Sequence, residues 1–168
     1  DHDIRHLRQI ESRMRHLAQH DSLTDLPNRA LFNDRLQRAL ANARRDQKRM
    51  ALMFLDVNRF KSINDNLGHG AGDRYLQELA GRLKSSIREQ DTVARIGGDE
   101  FVILLPHIQS AEDAVTVADK VMNHLRSPVK IDEHSLGFSI SVGIACYPED
   151  GKTAEALQVA ADRAMYSA

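Results

Sequence analysis

Asp99 and Glu100 stand side by side directly after two glycines, in Arg95-Ile96-Gly97-Gly98-Asp99-Glu100-Phe101. Apolar runs of β-type residues flank them, over 93–96 and 101–105. A Gly-Gly pair between such runs predicts a hairpin with a two-residue primed turn, which needs positive φ at its centre. Two adjacent carboxylates at a glycine-lined tip leave room for a metal ion and a phosphate to approach the backbone. The plainer reading is a surface hairpin with two solvated acids. A third acid, Asp56, closes the apolar run over 51–57.

The elements around these acids decide whether they meet. Leu31, Phe32, Leu36, Ala39, Leu40 and Ala43 give a helical stripe, after a turn-rich segment in which Pro27 suits a first helical turn. Residues 51–57 read as a short buried strand. Leu76, Leu79, Ala80, Leu83 and Ile87 make a second helical stripe, and Ala114, Val117, Ala118, Val121 and Leu125 a third. Apolar and small residues alternate through 136–146, a strand, and a last helix spans about 153–167. The core order is β-α-β-β-α-β, an α+β sandwich of the ferredoxin-like or palm kind with helices added at both ends. A right-handed crossover makes strands 51–57 and 92–96 parallel. The ferredoxin-like order then sets strand 101–105 beside 51–57, so that Asp56, Asp99 and Glu100 converge. Like charges about 4 Å apart repel by roughly 4 kcal/mol at an effective dielectric of 20, so a cation is expected to neutralise them. Hard oxygen donors without His or Cys favour Mg²⁺ or Mn²⁺. Such acidic edges serve phosphoryl and nucleotidyl transfer.

Asp56-Val57-Asn58-Arg59-Phe60-Lys61-Ser62-Ile63-Asn64-Asp65 follows the first strand. Its backbone N–H groups and Lys61 suit a triphosphate, and Asn64 can pair with a base edge. Asp73 follows Gly68-His69-Gly70-Ala71-Gly72, where its spacing suits an N-cap. That glycine run lacks the spacing of a dinucleotide fingerprint. Arg88-Glu89-Gln90-Asp91 is the one Arg-x-x-Asp of the chain, and by itself reads as an ion pair at a helix end.

Composition narrows the classes. A net charge of −1 over 168 residues argues against a broad nucleic-acid or membrane-surface binder. One cysteine, Cys146, excludes a disulfide framework. The longest apolar run is far short of a membrane span, and no signal-peptide pattern opens the sequence. The chain therefore reads as soluble, from a reducing compartment, with no direct membrane contact of its own. Leu7, Ile10, Met14 and Leu17 repeat at 3, 4 and 3, which fits two heptads of a coiled coil or a helix packed on its own domain. Residues 1–20 are thus set apart as a signalling helix, and 21–168 as the domain.

Several separate motifs in order carry a specific resemblance. They are Asp21-Ser22-Leu23-Thr24-Asp25-Leu26-Pro27-Asn28-Arg29, Phe60-Lys61-Ser62-Ile63-Asn64-Asp65, Gly68-His69-Gly70-Ala71-Gly72-Asp73, Gly97-Gly98-Asp99-Glu100-Phe101 and Ala161-Asp162-Arg163-Ala164-Met165-Tyr166. The chain resembles the GGDEF domain of bacterial diguanylate cyclases over nearly all its length. The resemblance implies the condensation of two GTP into cyclic di-3′,5′-GMP and two pyrophosphates. It implies Asp99 as metal ligand and general base. Glu100, Asp56 and the Val57 carbonyl become further Mg²⁺ (or Mn²⁺) ligands. Asn64 and Asp73 read guanine, and Arg59, Phe60, Lys61, Gly97 and Gly98 lie along the triphosphate. Arg88 and Asp91 match an inhibitory product site. Five strand residues span roughly 16 Å, so that site lies at the far end of the strand from the metal.

Two departures accompany the match. Asn58 stands where many members carry a second Asp, and the family continues past position 168 with a Lys and an Arg that touch phosphate. Loss of those two would weaken GTP binding or turnover. The product's symmetry implies a two-fold homodimer, aligned through the 1–18 seam and governed by an upstream sensor. A cytoplasmic location follows, in a bacterial signalling protein whose parent chain is free to be membrane-anchored. The alternative is a catalytically silent module that binds GTP or cyclic di-GMP; silent members lose signature acids that this chain keeps. A polymerase or nuclease palm ranks far lower for want of a basic template surface.

Overall fold

The computed structural model describes residues 2–167. Twelve elements follow in order: α1 (His2–Gln19), α2 (Arg29–Asp46), β1 (Arg49–Val57), α3 (Phe60–Leu67), α4 (His69–Ser85), β2 (Thr92–Arg95), β3 (Glu100–Ile108), α5 (Ala111–His124), β4 (Val129–Ile131), β5 (His134–Leu136), β6 (Ile140–Tyr147) and α6 (Ala154–Ser167). The period-2 geometry of β1 divides the core between two faces. Ala51, Met53, Leu55 and Val57 pack with α4 and α5, while Met50 and Leu52 pack with α2 and α6. The main sheet runs β2-β3-β1-β6, each neighbouring pair antiparallel. β2 and β1 therefore point the same way with β3 between them. This is the ferredoxin-like order expected from the sequence.

Local differences have local causes. The strand expected over 136–146 begins only at Ile140, and a small β4–β5 hairpin precedes it. Residues 137–139 are held by other groups: the Tyr75 hydroxyl donates to Gly137 O at 3.0 Å, and Asn58 N donates to Ser139 O at 2.8 Å. Phe138 stacks obliquely on Tyr75 at 4.8 Å. Pro27 stands just before the cap of α2 rather than in its first turn; Asn28 is the cap, accepting from Leu31 N. Asn28 also donates to Ala18 O and Gln19 O, which fastens α2 to the end of α1.

No residue of α1 is buried. Leu7 is 59% exposed, Met14 65% and Leu17 69%, so the heptad seam does not pack on its own domain. Among the described residues no helix is long and apolar enough to cross a membrane.

Candidate active site

Asp56 sits near the end of the central strand β1, opposite Glu100 on β3 and Ser141 on β6. The next residue, Val57, donates its N–H to the carbonyl of Asp99 at 3.1 Å. The two strand ends and the signature turn are thus joined through the backbone, and all three acids share one sheet edge. Asp56 carries the clearest sign of that convergence. Burial first, and then the charges of Asp99 and Glu100, push its carboxyl up from 3.8 to about 6. Its Oδ1 is buried with no hydrogen-bond partner among the described residues. Tyr166, near the end of α6, feels Asp162 and then Asp56 and the other two acids, which raise its phenol. The C-terminal helix therefore reaches this edge as well.

The turn differs from the two-residue hairpin expected. Four residues, 96–99, separate β2 from β3, and neither Gly97 nor Gly98 lies in the left-handed region. Gly97 is instead closely approached by the Glu100 side chain. A Cβ there would lie 3.2 Å from Glu100 Oε2 and 3.4 Å from its Cβ. The turn is held from outside by two arginines. Arg95 donates through Nε and Nη2 to Gly98 O at 3.1 and 2.7 Å, and Arg29 donates to Ile96 O at 3.2 Å. Arg95 Nη1 also reaches both carboxylate oxygens of Asp21 at 3.1 Å.

The segment after β1 folds as a helix, α3, rather than an open loop. Arg59, in the left-handed region at φ 59°, occupies its N-cap without giving a side-chain hydrogen bond. Phe60 and Lys61 open the first turn, so uncapped N–H groups at the positive end of the helix dipole lie beside the acidic edge. Asn58 turns away from it: Nδ2 donates to Ser139 Oγ at 3.1 Å and Oδ1 accepts from Ser141 Oγ at 2.8 Å. Asn64 lies one turn into α3, its Oδ1 buried and unpartnered. Asp73 is exposed one turn into α4, whose start is His69; it is not an N-cap.

Hard oxygen donors, an orphaned buried Asp56 oxygen and the mutual repulsion of three acids fit a divalent cation. Among the described residues no three His, Cys, Asp or Glu side chains are already gathered as a metal cage.

At the other end of β2, Arg88 grips buried Asp91 through Nε and Nη2, each at 3.1 Å, and donates also to His107 O. This tight turn borders a cleft of about 640 Å³, where Lys48, His107, Asp113 and Lys120 join Arg88 and Asp91. Sequence reading found the Arg-Asp pair but missed the lysines, which arrive from separate elements without a shared motif.

The fold agrees with that of solved relatives. A family described as "Diguanylate cyclase, GGDEF domain" matches residues 18–168. The chain belongs to the GGDEF family. It is 48% identical over 152 residues to the bifunctional diguanylate cyclase/cyclic di-GMP phosphodiesterase MucR of Pseudomonas aeruginosa, covering 90% of this chain and 22% of that protein. A solved structure of the GGDEF domain of TpbB from the same organism superposes with a TM-score of 0.86 at 47% identity, over 89% of this chain and 87% of that one. The coiled coil and GGDEF domain of Caulobacter crescentus DgcB, solved with c-di-GMP, gives 0.88 at 27% identity over 98% and 87%. The chain spans about a fifth of the length of MucR and 35% of TpbB.

Proposed function

We propose that this GGDEF domain is a diguanylate cyclase, joining two GTP into cyclic di-3′,5′-GMP with release of two pyrophosphates. The observation that carries the reading is Asp56: a buried, unpartnered carboxylate oxygen, its pKa pushed to about 6 by burial and by Asp99 and Glu100, beside the open N-terminus of α3. Asp56, Asp99, Glu100 and the Val57 carbonyl would hold Mg²⁺ or Mn²⁺. When bound, the ion supplies positive charge against the phosphates.

The chain's own residues do the rest. The first turn of α3, with Arg59, Phe60 and Lys61, binds triphosphate oxygens through N–H groups and the Lys61 ammonium. Gly97 and Gly98 keep the turn free of side chains where phosphate lies. Asn64 and Asp73 read the base, one from α3 and one from α4. Asp99 accepts the proton of the ribose 3′-hydroxyl as its oxygen attacks the α-phosphorus of the second GTP. The bond from that phosphorus to the pyrophosphate oxygen breaks, and a second, symmetric attack closes the ring.

Each half-site holds one GTP, so the working unit is a two-fold homodimer. The exposed seam of α1 aligns the two copies, as residues 1–20 pass a signal to the domain at 21–168 from a sensor in a longer cytoplasmic or membrane-anchored protein. The cleft at Arg88 and Asp91 takes the product and limits the rate. The test is turnover: purified protein with GTP and Mg²⁺ releases pyrophosphate and forms cyclic di-GMP, and Asp99→Ala does neither. Tight product binding without any turnover would instead identify a silent receptor.

A further inference from the structure

Three glycines stand together at 68, 70 and 72, and they do different work. Gly68 needs its positive φ of 92°, and at Gly70 an added Cβ would meet nothing within 4 Å. Gly72 lies buried in the first turns of α4, its N–H bonded to Gly68 O. A Cβ built there would fall 1.8 Å from Asn64 Oδ1, 3.0 Å from its Cγ and 3.3 Å from Phe60 Cζ. The space a methyl group would fill is occupied by the Asn64 amide. Its Oδ1 is buried without a hydrogen-bond partner among the described residues, whereas Nδ2 is not buried in this way. The backbone at the corner is fixed, because Asn64 O accepts from Gly68 N at 2.9 Å. A side chain at position 72 would therefore move the amide, not the helices.

We infer that Gly72 is a positioning residue for nucleobase recognition. Its missing Cβ seats the Asn64 carbonyl against α4 and so turns the –NH₂ end of the amide toward the ligand as a hydrogen-bond donor. The inference rests on the reading of Asn64 as a base contact. On that reading Asn64 offers donors to an acceptor on the base, and exposed Asp73 offers acceptors to donor groups of a guanine edge. A pocket built to pair both kinds of group discriminates strongly against bases that leave one unpaired.

The experiment is a cycle of Gly72→Ala, Asn64→Ala and the double variant. Binding of the non-hydrolysable analogue guanosine 5′-[α,β-methylene]triphosphate is measured together with kcat and KM for GTP. Gly72→Ala is expected to weaken analogue binding and raise KM by about tenfold or more, with kcat at saturating GTP within about threefold of the parent. In the Asn64→Ala background the same change is expected to add little, since the Asn64 amide is gone and only Phe60 Cζ, at 3.3 Å, still crowds the new methyl group. If Gly72→Ala fails to fold while the double variant folds, the clash with Asn64 is confirmed. Unchanged binding by Gly72→Ala, an equal further loss in the Asn64→Ala background, or failure of both variants to fold would overturn the inference. If Asn64→Ala alone binds the analogue normally, the base-contact reading itself is wrong; if it binds weakly while Gly72→Ala binds normally, only the role of Gly72 is.

Discussion

Arg95 and Asp21 form a two-sided clasp on the signature turn. The guanidinium meets both oxygens of Asp21 at 3.1 Å through Nη1 and, through its other two nitrogens, holds the carbonyl of Gly98. Asp21 in turn accepts from the N–H and hydroxyl of Thr24. One residue at the root of the domain, two positions past α1, is therefore in contact with the arginine that sets the shape of the turn.

Breaking the clasp should reduce both stability and rate. Arg95→Ala leaves the Gly98 carbonyl without the guanidinium and the partly buried Asp21 carboxylate with Thr24 alone, a loss of about 1–3 kcal/mol. Turnover is expected to fall at least tenfold through misplacement of Asp99. Burial pushes the Asp21 carboxyl up, but the bonds from Thr24 and Arg95 outweigh it and hold the group below its ordinary 3.8. A depressed native pKa gives stability that is present above 3.8 and lost as pH falls through the lower native value. Thermal unfolding from pH 6 to 3 should therefore show the parent losing its advantage over Asp21→Asn only in the acid limb. Parallel curves for the two proteins would refute this.

Asp56 gives the opposite sign. Its native pKa of about 6 lies above 3.8, so its contribution to metal-free stability is present below pH 3.8 and lost as pH rises through 6. Asp56→Asn should melt higher than the parent at pH 7.5 without metal, and the gap should close on acidification. Mg²⁺ should raise the melting temperature of the parent and not of the variant, and the variant should form no cyclic di-GMP. Equal melting temperatures at pH 7.5 would show that the acids do not repel as described.

At the far end of β2, Arg88→Ala and Lys120→Ala should each weaken product binding, measured by calorimetry, by about tenfold through the loss of a charge-assisted bond to phosphate. Asp91 behaves differently. It is buried and receives the Arg88 N–H at 3.0 Å as well as the guanidinium, so Asp91→Ala should also lower the melting temperature. Product affinity unchanged in both basic variants would remove this cleft from consideration.

The seam of α1 predicts association. Leu7→Glu with Met14→Glu should shift sedimentation toward monomer and reduce turnover at low protein concentration, with recovery at high concentration. A parent that remains monomeric at every concentration, and turns over at a constant specific rate, would exclude a dimer aligned by this helix.

Much of this was legible in the chain before any coordinates. The stripes of α2, α4 and α5 and the strands β1 and β3 were marked by periodicity, and strand order followed from handedness and topology, which brought Asp56 to Glu100. The rest depended on contacts that no spacing encodes. Gly97 was attributed to turn conformation, whereas it makes room for the side chain of Glu100, three residues on. Phe60–Leu67 was given no element because its eight residues are too short to display a stripe, yet packing on α4 makes it a helix. Asp73 appeared to be a cap because glycines usually end helices, but here two of them lie inside one. Arg95 and Asp21 are far apart in sequence, and only the folded sheet edge brings their charges together.

β1 is bonded along its length on both sides, to β3 from Arg49 to Asp56 and to β6 from Met50 to Val57. Its amides are therefore the ones whose exchange with solvent deuterium requires global opening. α3 and the short β4–β5 pair lie outside that ladder. As the protein breathes, the corner that carries Asn64 is expected to open before the strand that carries Asp56. A molecule caught part-way would keep its acidic edge while having lost its means of telling one base from another.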